Sequence, residues 1–111
     1  MNHPIYVPMN EETGSKNGPN SNLQSRRIKA AIVKCFPNAK VTFSKGHYFC
    51  SAFVDFGYGN VVFMSTSDYR FFPQQFLVRK ARNVHDYTGG VNHNFVGFEK
   101  ILSAIDLVKN S

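Results

Sequence analysis

The sequence predicts an α+β fold in which an antiparallel sheet of three to five strands is covered on one face by two amphipathic helices. Three observations support it: a helical apolar period around Ile28, alternating strands after Pro37, and a second apolar stripe near the end of the chain. The chain has 111 residues and 11 Phe, which is enough apolar surface for one core. We therefore expect residues 1–111 to form a single domain.

The first helix is predicted from Ser21 to about Cys35. Ser21 and Gln24 have the spacing of a capping box, and Pro37 disfavours helical geometry at the residue before it. The apolar face of this helix comprises Ile28, Ala31, Ile32, Cys35 and Phe36. The opposite face is basic and comprises Arg26, Arg27, Lys29 and Lys34.

Two segments precede this helix. Residues 5–7 are an apolar run between two prolines, which is compatible with an edge strand. Residues 10–20 are polar and rich in turn-forming residues, so they predict a flexible loop.

Three strands are predicted after the helix, over residues 40–45, 47–56 and 61–65. In the second strand, the period of two puts Phe49 and Phe53 on one face, and Tyr48 and Phe56 on the other. The Gly-Tyr-Gly-Asn sequence at residues 57–60 predicts a hairpin between the second and third strands.

The remaining segment allows two interpretations before a clear final helix. Residues 66–94 contain either a short helix opened by Pro73 or a fourth strand over residues 76–84, and the spacing of Val78 and Val84 favours the strand. Residues 87–94 are expected to form a loop. The last helix is predicted over residues 95–108, with an apolar stripe formed by Phe95, Phe98, Ile101, Leu102, Ile105 and Val108.

Charge is distributed unevenly along this basic chain, whose net charge is +6. Between Glu12 and Asp55 there are seven cations and no acid. Such an asymmetry predicts an anionic partner, although a solvated basic face is the simpler alternative. The predicted contact residues are Arg26, Arg27, Lys29, Lys34, Lys40, Lys45, Arg79, Lys80 and Arg82.

The sequence contains no pattern that predicts catalysis. Cys35 and Cys50 lack metal-pair spacing and are expected to be buried, unpaired thiols in a reducing compartment. His85 and Asp86 are neighbours, but no nucleophile occurs in a recognisable context beside them. We expect no enzymatic activity, no cofactor and no metal site. The absence of a long apolar run or a leader-like segment predicts a cytoplasmic protein without a membrane partner.

The aromatic segment has partial similarity to nucleic-acid-binding signatures. Lys45-Gly46 and the later Ala-Phe-Val-Asp-Phe at residues 52–56 resemble the longer signature of RNA-recognition motifs, but five residues separate the two parts. That fold also requires a helix after Phe56, where the sequence predicts a hairpin. The order helix, three strands, helix is in turn similar to double-stranded-RNA-binding domains, with a long insertion at residues 66–94.

A further resemblance covers residues 26–64. The run R-x-I-K-A-A-I-V-K-C-F-P-N-A-K-V-T-F-S, followed by an aromatic strand ending in Asp55-Phe56-Gly57, resembles a small domain of large polyvalent proteins from phages and mobile elements. This resemblance implies a viral or mobile-element accessory protein that enters a bacterial cell, and it implies no catalytic residues.

Two functional hypotheses follow. The first is a non-enzymatic phage or mobile-element protein that inhibits host machinery, such as a nucleic-acid-dependent defence complex of the CRISPR or restriction type, by docking its basic face on a host nucleoprotein or protein complex. The second is a module that binds RNA or DNA directly through its aromatic and basic residues.

Overall fold

The computed structural model describes residues 21–71, 73–86 and 88–111, without the side chain of Ser21. The elements are helix α1 (Ser21–Cys35), strands β1 (Lys40–Lys45), β2 (Cys50–Asp55), β3 (Val61–Thr66), β4 (Gln75–Ala81) and β5 (His93–Val96), a 3₁₀ helix (Phe98–Lys100) and helix α2 (Ile101–Lys109). The predicted α+β class is confirmed. The predicted edge strand at 5–7, the loop at 10–20 and the Ser21 side chain of the capping box lie outside the described residues.

Helix α1 ends where the sequence predicts, at Cys35. Ile28 and Ile32, one turn apart, are fully buried, and Phe36 packs against the same core. The backbone N–H of Phe36 donates to the carbonyl of Ile32 at 3.0 Å, and Pro37 then prevents a further helical bond. The apolar period therefore predicted the buried side of this helix, and Pro37 predicted its end.

The five strands form one antiparallel sheet in sequential order, from β1 to β5. The register aligns Phe43 with Ala52, Ala52 with Met64, and Met64 with Val78. These four residues form one row across the sheet; Ala52, Met64 and Val78 are buried in the core, and Phe43 is partly buried and packs against it. Because side chains alternate along each strand, the residues next to this row point to the opposite face.

Both helices contribute to the same core as this row. Helix α1 contacts β1, helix α2 contacts β3 and β4, and the two helices contact each other. The buried residues of α2 are Ile101, Ala104, Ile105 and Val108. The predicted apolar stripe of the last helix therefore packs as a core stripe from Phe98 onwards.

Strand β2 is shorter than predicted. The sequence predicts a strand from residue 47, but pairing begins at Cys50. Residues 46–49 form the turn instead, because the N–H of Gly46 donates to the carbonyl of Phe49 at 2.9 Å. The following hairpin is as predicted: the N–H of Phe56 donates to the carbonyl of Asn60 at 2.9 Å.

A fourth strand, rather than a helix, follows Pro73. It spans Gln75–Ala81 and not residues 76–84, because the chain reverses immediately after it. The N–H of Arg82 donates to the carbonyl of Asp86 at 3.0 Å, which closes a turn around Val84. Val84 therefore continued the strand period in the sequence without belonging to the strand.

The predicted boundary between the last loop and the last helix was wrong. A fifth strand, His93–Val96, pairs with β4 and aligns Phe95 with Phe76, whose ring centroids are 5.2 Å apart. Gly97, with φ of 97°, separates this strand from the helical segment that begins at Phe98. Phe95 fits the helical stripe by spacing, but cross-strand pairing with β4 takes it into the sheet.

Candidate binding surface

The outer face of helix α1 carries the exposed cations Arg26, Lys29 and Lys34. They point outward because Ile28 and Ile32 occupy the buried side of the same helix. Arg27, which was predicted with them, is only partly exposed at the border of this face.

Strand β1 extends this charged face towards the start of the helix. The Nζ atom of Lys45 donates to Oδ1 of Asn22 at 2.8 Å, and Nζ of Lys29 lies 5.9 Å from the ring centroid of Phe43 in the same strand. We define the α1–β1 basic surface as the side chains of Arg26, Lys29, Lys34 and Lys45.

Carboxylates do not neutralise this surface within the part of the chain that the structure describes. The ion pairs found there are Arg70 with Asp68, Arg82 with Asp86, and Lys109 with Asp106. All of them lie outside the α1–β1 basic surface, so the carboxylates of the described residues leave its positive charge unpaired.

Two other predicted contact residues lie on the opposite face of the sheet. Lys40 alternates with Val41, which packs against the core, and it faces Asp55 across the register. Arg79 faces Phe63, and its guanidinium donates to Oδ1 of Asn92 at 2.8 Å and to the carbonyl of Gly90. The structure therefore does not bring Lys40 and Arg79 together with the α1–β1 basic surface.

The last two predicted contact residues have local partners. Nζ of Lys80 donates to Oδ1 of Asn60 at 2.6 Å and to the carbonyl of Lys109 at 3.1 Å, so it binds the end of helix α2. Arg82 lies 3.8 Å from the carboxylate of Asp86. The positions of Lys80 and Arg82 in the sequence did not reveal these local partners.

The aromatic residues of the sheet are divided between its two faces. Phe53 and Phe63 face each other across β2 and β3 on the side opposite the buried row, with ring centroids 4.9 Å apart, and both are partly exposed. Phe43 and Phe56 pack against the core. The opposite orientation of Phe53 and Phe56 was predicted by the period of two.

A second group of aromatic residues lies in two loops. The sequence predicted residues 47–49 of the first loop as part of a strand, and it left the second loop, within residues 66–94, open between a helix and a strand. The loop after β1 and the loop after β3 are joined by the N–H of Tyr69, which donates to the carbonyl of Tyr48 at 2.7 Å. The Arg70 guanidinium lies 3.9 Å from the Tyr48 ring centroid, and Phe49 and Phe71 are exposed. We define the aromatic loop end as Tyr48, Phe49, Arg70 and Phe71. The sequence signal for the aromatic loop end was Arg-Phe-Phe-Pro at residues 70–73, where aromatic residues directly follow a cation.

Arg70 is held in place by Asp68. Its Nε and one terminal nitrogen donate to the two carboxylate oxygens of Asp68 at 3.1 and 2.7 Å. These hydrogen bonds lower the pKa of Asp68 below its ordinary value and raise that of Arg70. The pair fixes the guanidinium plane against Tyr48 and cancels most of its net charge.

A buried polar cluster anchors these loops to the core. The hydroxyls of Ser25 and Tyr69 are 2.8 Å apart, and Thr66 accepts a hydrogen bond from the N–H of Cys50 at 3.0 Å. Burial raises the pKa of the Cys50 thiol to about 11 and also raises that of Tyr69. These groups are neutral and enclosed, which favours a structural role over a nucleophilic one.

The two cysteines differ in exposure. Both are free thiols, but Cys35 is exposed rather than buried as predicted, and it lines a surface cavity of about 310 Å³ together with Phe36 and Pro37. Within the described ranges, histidine, cysteine and acidic side chains form no cluster of three that could hold a metal ion. The predictions of no metal and no enzymatic activity stay predictions.

In comparisons with known proteins, no family model matched the chain, and no curated protein or solved structure was significantly similar to it. The resemblance of residues 26–64 to a phage domain therefore stays a prediction. Neither described helix has the length and apolar character needed to cross a membrane.

Proposed function

We propose that this chain is a non-enzymatic accessory protein of a phage or mobile element that inhibits host machinery. It acts in the bacterial cytoplasm by docking the α1–β1 basic surface on a host nucleoprotein. A nucleic-acid-dependent defence complex is the class of target that suits a polyanion-seeking protein of this size.

The observation that carries the proposal is the separation of charges. Arg26, Lys29, Lys34 and Lys45 come from two neighbouring elements, and the ion pairs of the described residues lie elsewhere. Clustered cations that keep their charge attract an anionic partner and accelerate its association.

The proposal includes one feature of the fold, namely that both helices cover the sheet face that carries Ala52, Met64 and Val78. The shared core of these residues with α1 and α2 supports this arrangement. In this arrangement, the outer side of α1 and the sheet face that carries Phe53 and Phe63 are separate surfaces. Docking through α1 therefore leaves the Phe53–Phe63 face accessible to a second ligand.

The test is affinity purification of the tagged chain from a bacterial lysate, with and without nuclease. We expect recovery of a discrete host complex, and loss of that complex in the Arg26→Gln/Lys29→Gln variant. The Lys40→Gln/Arg82→Gln variant is the matched control, because it removes two charges at positions outside the surface. Recovery of nucleic acid alone, or equal loss of the complex in both variants, would contradict docking through this surface.

A second candidate function is direct binding of RNA or DNA on the other sheet face. The neighbouring, partly exposed rings of Phe53 and Phe63 favour it, since exposed sheet aromatics stack on bases in RNA-recognition motifs. Phe53→Ala should then weaken oligonucleotide binding while the host complex is still recovered; unchanged oligonucleotide binding would exclude this candidate.

A further inference from the structure

We infer that the aromatic loop end binds unpaired nucleobases of the partner's nucleic acid, next to phosphates held by the α1–β1 basic surface. This inference rests on the proposed function and specifies which part of a nucleoprotein the chain contacts. Four observations support it, concerning position, a stacking platform, an exposed ring and neighbouring charge.

The position of the aromatic loop end follows from the strand order of the sheet. In an antiparallel sheet of sequential order, the turn after β1 and the loop after β3 lie at the same end. The hydrogen bond from the Tyr69 N–H to the Tyr48 carbonyl joins them directly. The start of helix α1 lies at this end too, because Asn22 accepts a hydrogen bond from Lys45.

Arg70 provides a stacking platform that is already formed. One side of its guanidinium packs on the Tyr48 ring, and Asp68 holds its edge through two hydrogen bonds. The side chain of Arg70 is nevertheless 47% exposed. A base can stack on a guanidinium plane as on an aromatic ring, and a fixed plane loses little conformational entropy on binding.

Phe71 and Phe49 are exposed rings that directly follow Arg70 and Tyr48 in the chain. Phe71 is 67% exposed and its N–H donates to the Asp68 carbonyl at 3.2 Å, so the turn that holds Arg70 also holds Phe71. Phe49 is 49% exposed. Rings on short loops can reach the faces of unpaired bases, whereas the bases of a duplex are stacked on each other and present only their edges.

Charge continuity identifies the chemistry of the partner. Lys45 immediately precedes the turn that carries Tyr48 and Phe49, and it belongs to the α1–β1 basic surface. Flat apolar groups next to uncompensated cations match a strand with planar bases and a phosphate backbone. An acidic protein offers the charge but no series of planar groups.

Fluorescence anisotropy with a labelled oligothymidine of about 12 nucleotides and with a duplex of the same length tests the inference. We expect the chain to bind the single strand more tightly than the duplex. Phe71→Ala should weaken the single-strand affinity roughly 5- to 100-fold and have little effect on the duplex affinity. Tyr58→Ala, which removes a fully exposed ring from the hairpin at the other end of the sheet, is the matched control and should leave both affinities unchanged.

Each alternative outcome separates the inference from the proposed function. Equal single-strand affinity of Phe71→Ala and the unmodified chain, or no preference for single strands, overturns the inference even if the host complex is recovered. No binding of either oligonucleotide, with the host complex still recovered after nuclease treatment, also overturns it and assigns the aromatic loop end to a protein contact. Loss of the host complex in both charge variants instead overturns the proposed function.

Discussion

The Cys50 thiol shows at the scale of single residues how enclosure changes chemistry. It is fully buried, next to Thr66 and the Ser25–Tyr69 hydroxyl pair. Burial raises its pKa from the ordinary value of 9.0 to about 11, because the thiolate loses its hydration there. The unfolded thiol therefore ionises at a lower pH than the folded one.

We predict that this difference makes folding stability depend on pH in the alkaline range. The contribution of Cys50 is fully present below pH 9 and is lost as the pH rises towards about 11. The free energy of unfolding measured in urea should be about 1–2 kcal/mol lower at about pH 10 than at about pH 8, and this decrease should be absent in Cys50→Ala. Cys35→Ser, at the exposed thiol, should keep the full loss. An equal decline in Cys50→Ala and the unmodified chain would assign it to other groups, such as Tyr69.

At the scale of elements, Lys80 illustrates a cation used for folding. Its ammonium group joins β4 to the β2–β3 hairpin at Asn60 and to the last turn of α2 at the Lys109 carbonyl. A cation at a helix C-terminus satisfies free carbonyl groups and interacts favourably with the helix dipole. This role removes Lys80 from the set of residues available to a partner.

We predict that Lys80→Met lowers the free energy of unfolding by about 1–3 kcal/mol, because hydrogen bonds from a charged donor are lost. Binding to a polyanion should not change. Lys34→Met, on the exposed face of α1, should show the opposite result: weaker polyanion binding and little change in stability. Urea unfolding and anisotropy on both variants provide the comparison. Weaker binding by Lys80→Met at unchanged stability would return Lys80 to the contact surface.

At the scale of the whole molecule, the location of the positive charges should affect polyanion binding more than the net charge does. The net charge is +6, but Lys40, Arg79, Lys80 and Arg82 are on other surfaces or have local partners. A polyanion that binds the α1–β1 basic surface releases counterions in proportion to the phosphates contacted there.

We predict that Arg26→Gln/Lys29→Gln reduces the slope of log affinity against log salt concentration by about 1.8 for duplex DNA, since two phosphate contacts are lost. Lys40→Gln/Arg82→Gln has the same net charge and should keep the slope. Anisotropy titrations over a range of salt concentrations measure both values. Equal reductions in the two variants would show that net charge, and not this surface, controls binding.

Several elements were predictable because their signals are local. The period of Ile28 and Ile32 gave the buried side of α1, and Gly57 to Asn60 gave the hairpin. The start of β2 and the whole of β5 were missed because strand limits depend on partners. Cys50 begins β2 where β1 pairs with it, and Phe95 joins a strand only because β4 offers Phe76 across from it.

The sequence by itself determined the α+β class, the basic outer face of α1 and the alternation that separates Phe53 from Phe56, since each depends on the spacing of neighbouring residues. Only the tertiary structure decided which cations share a surface and that Tyr48 and Arg70 meet. Those contacts join residues far apart in the chain. Their geometry is set by strand register and loop packing, which no local period encodes.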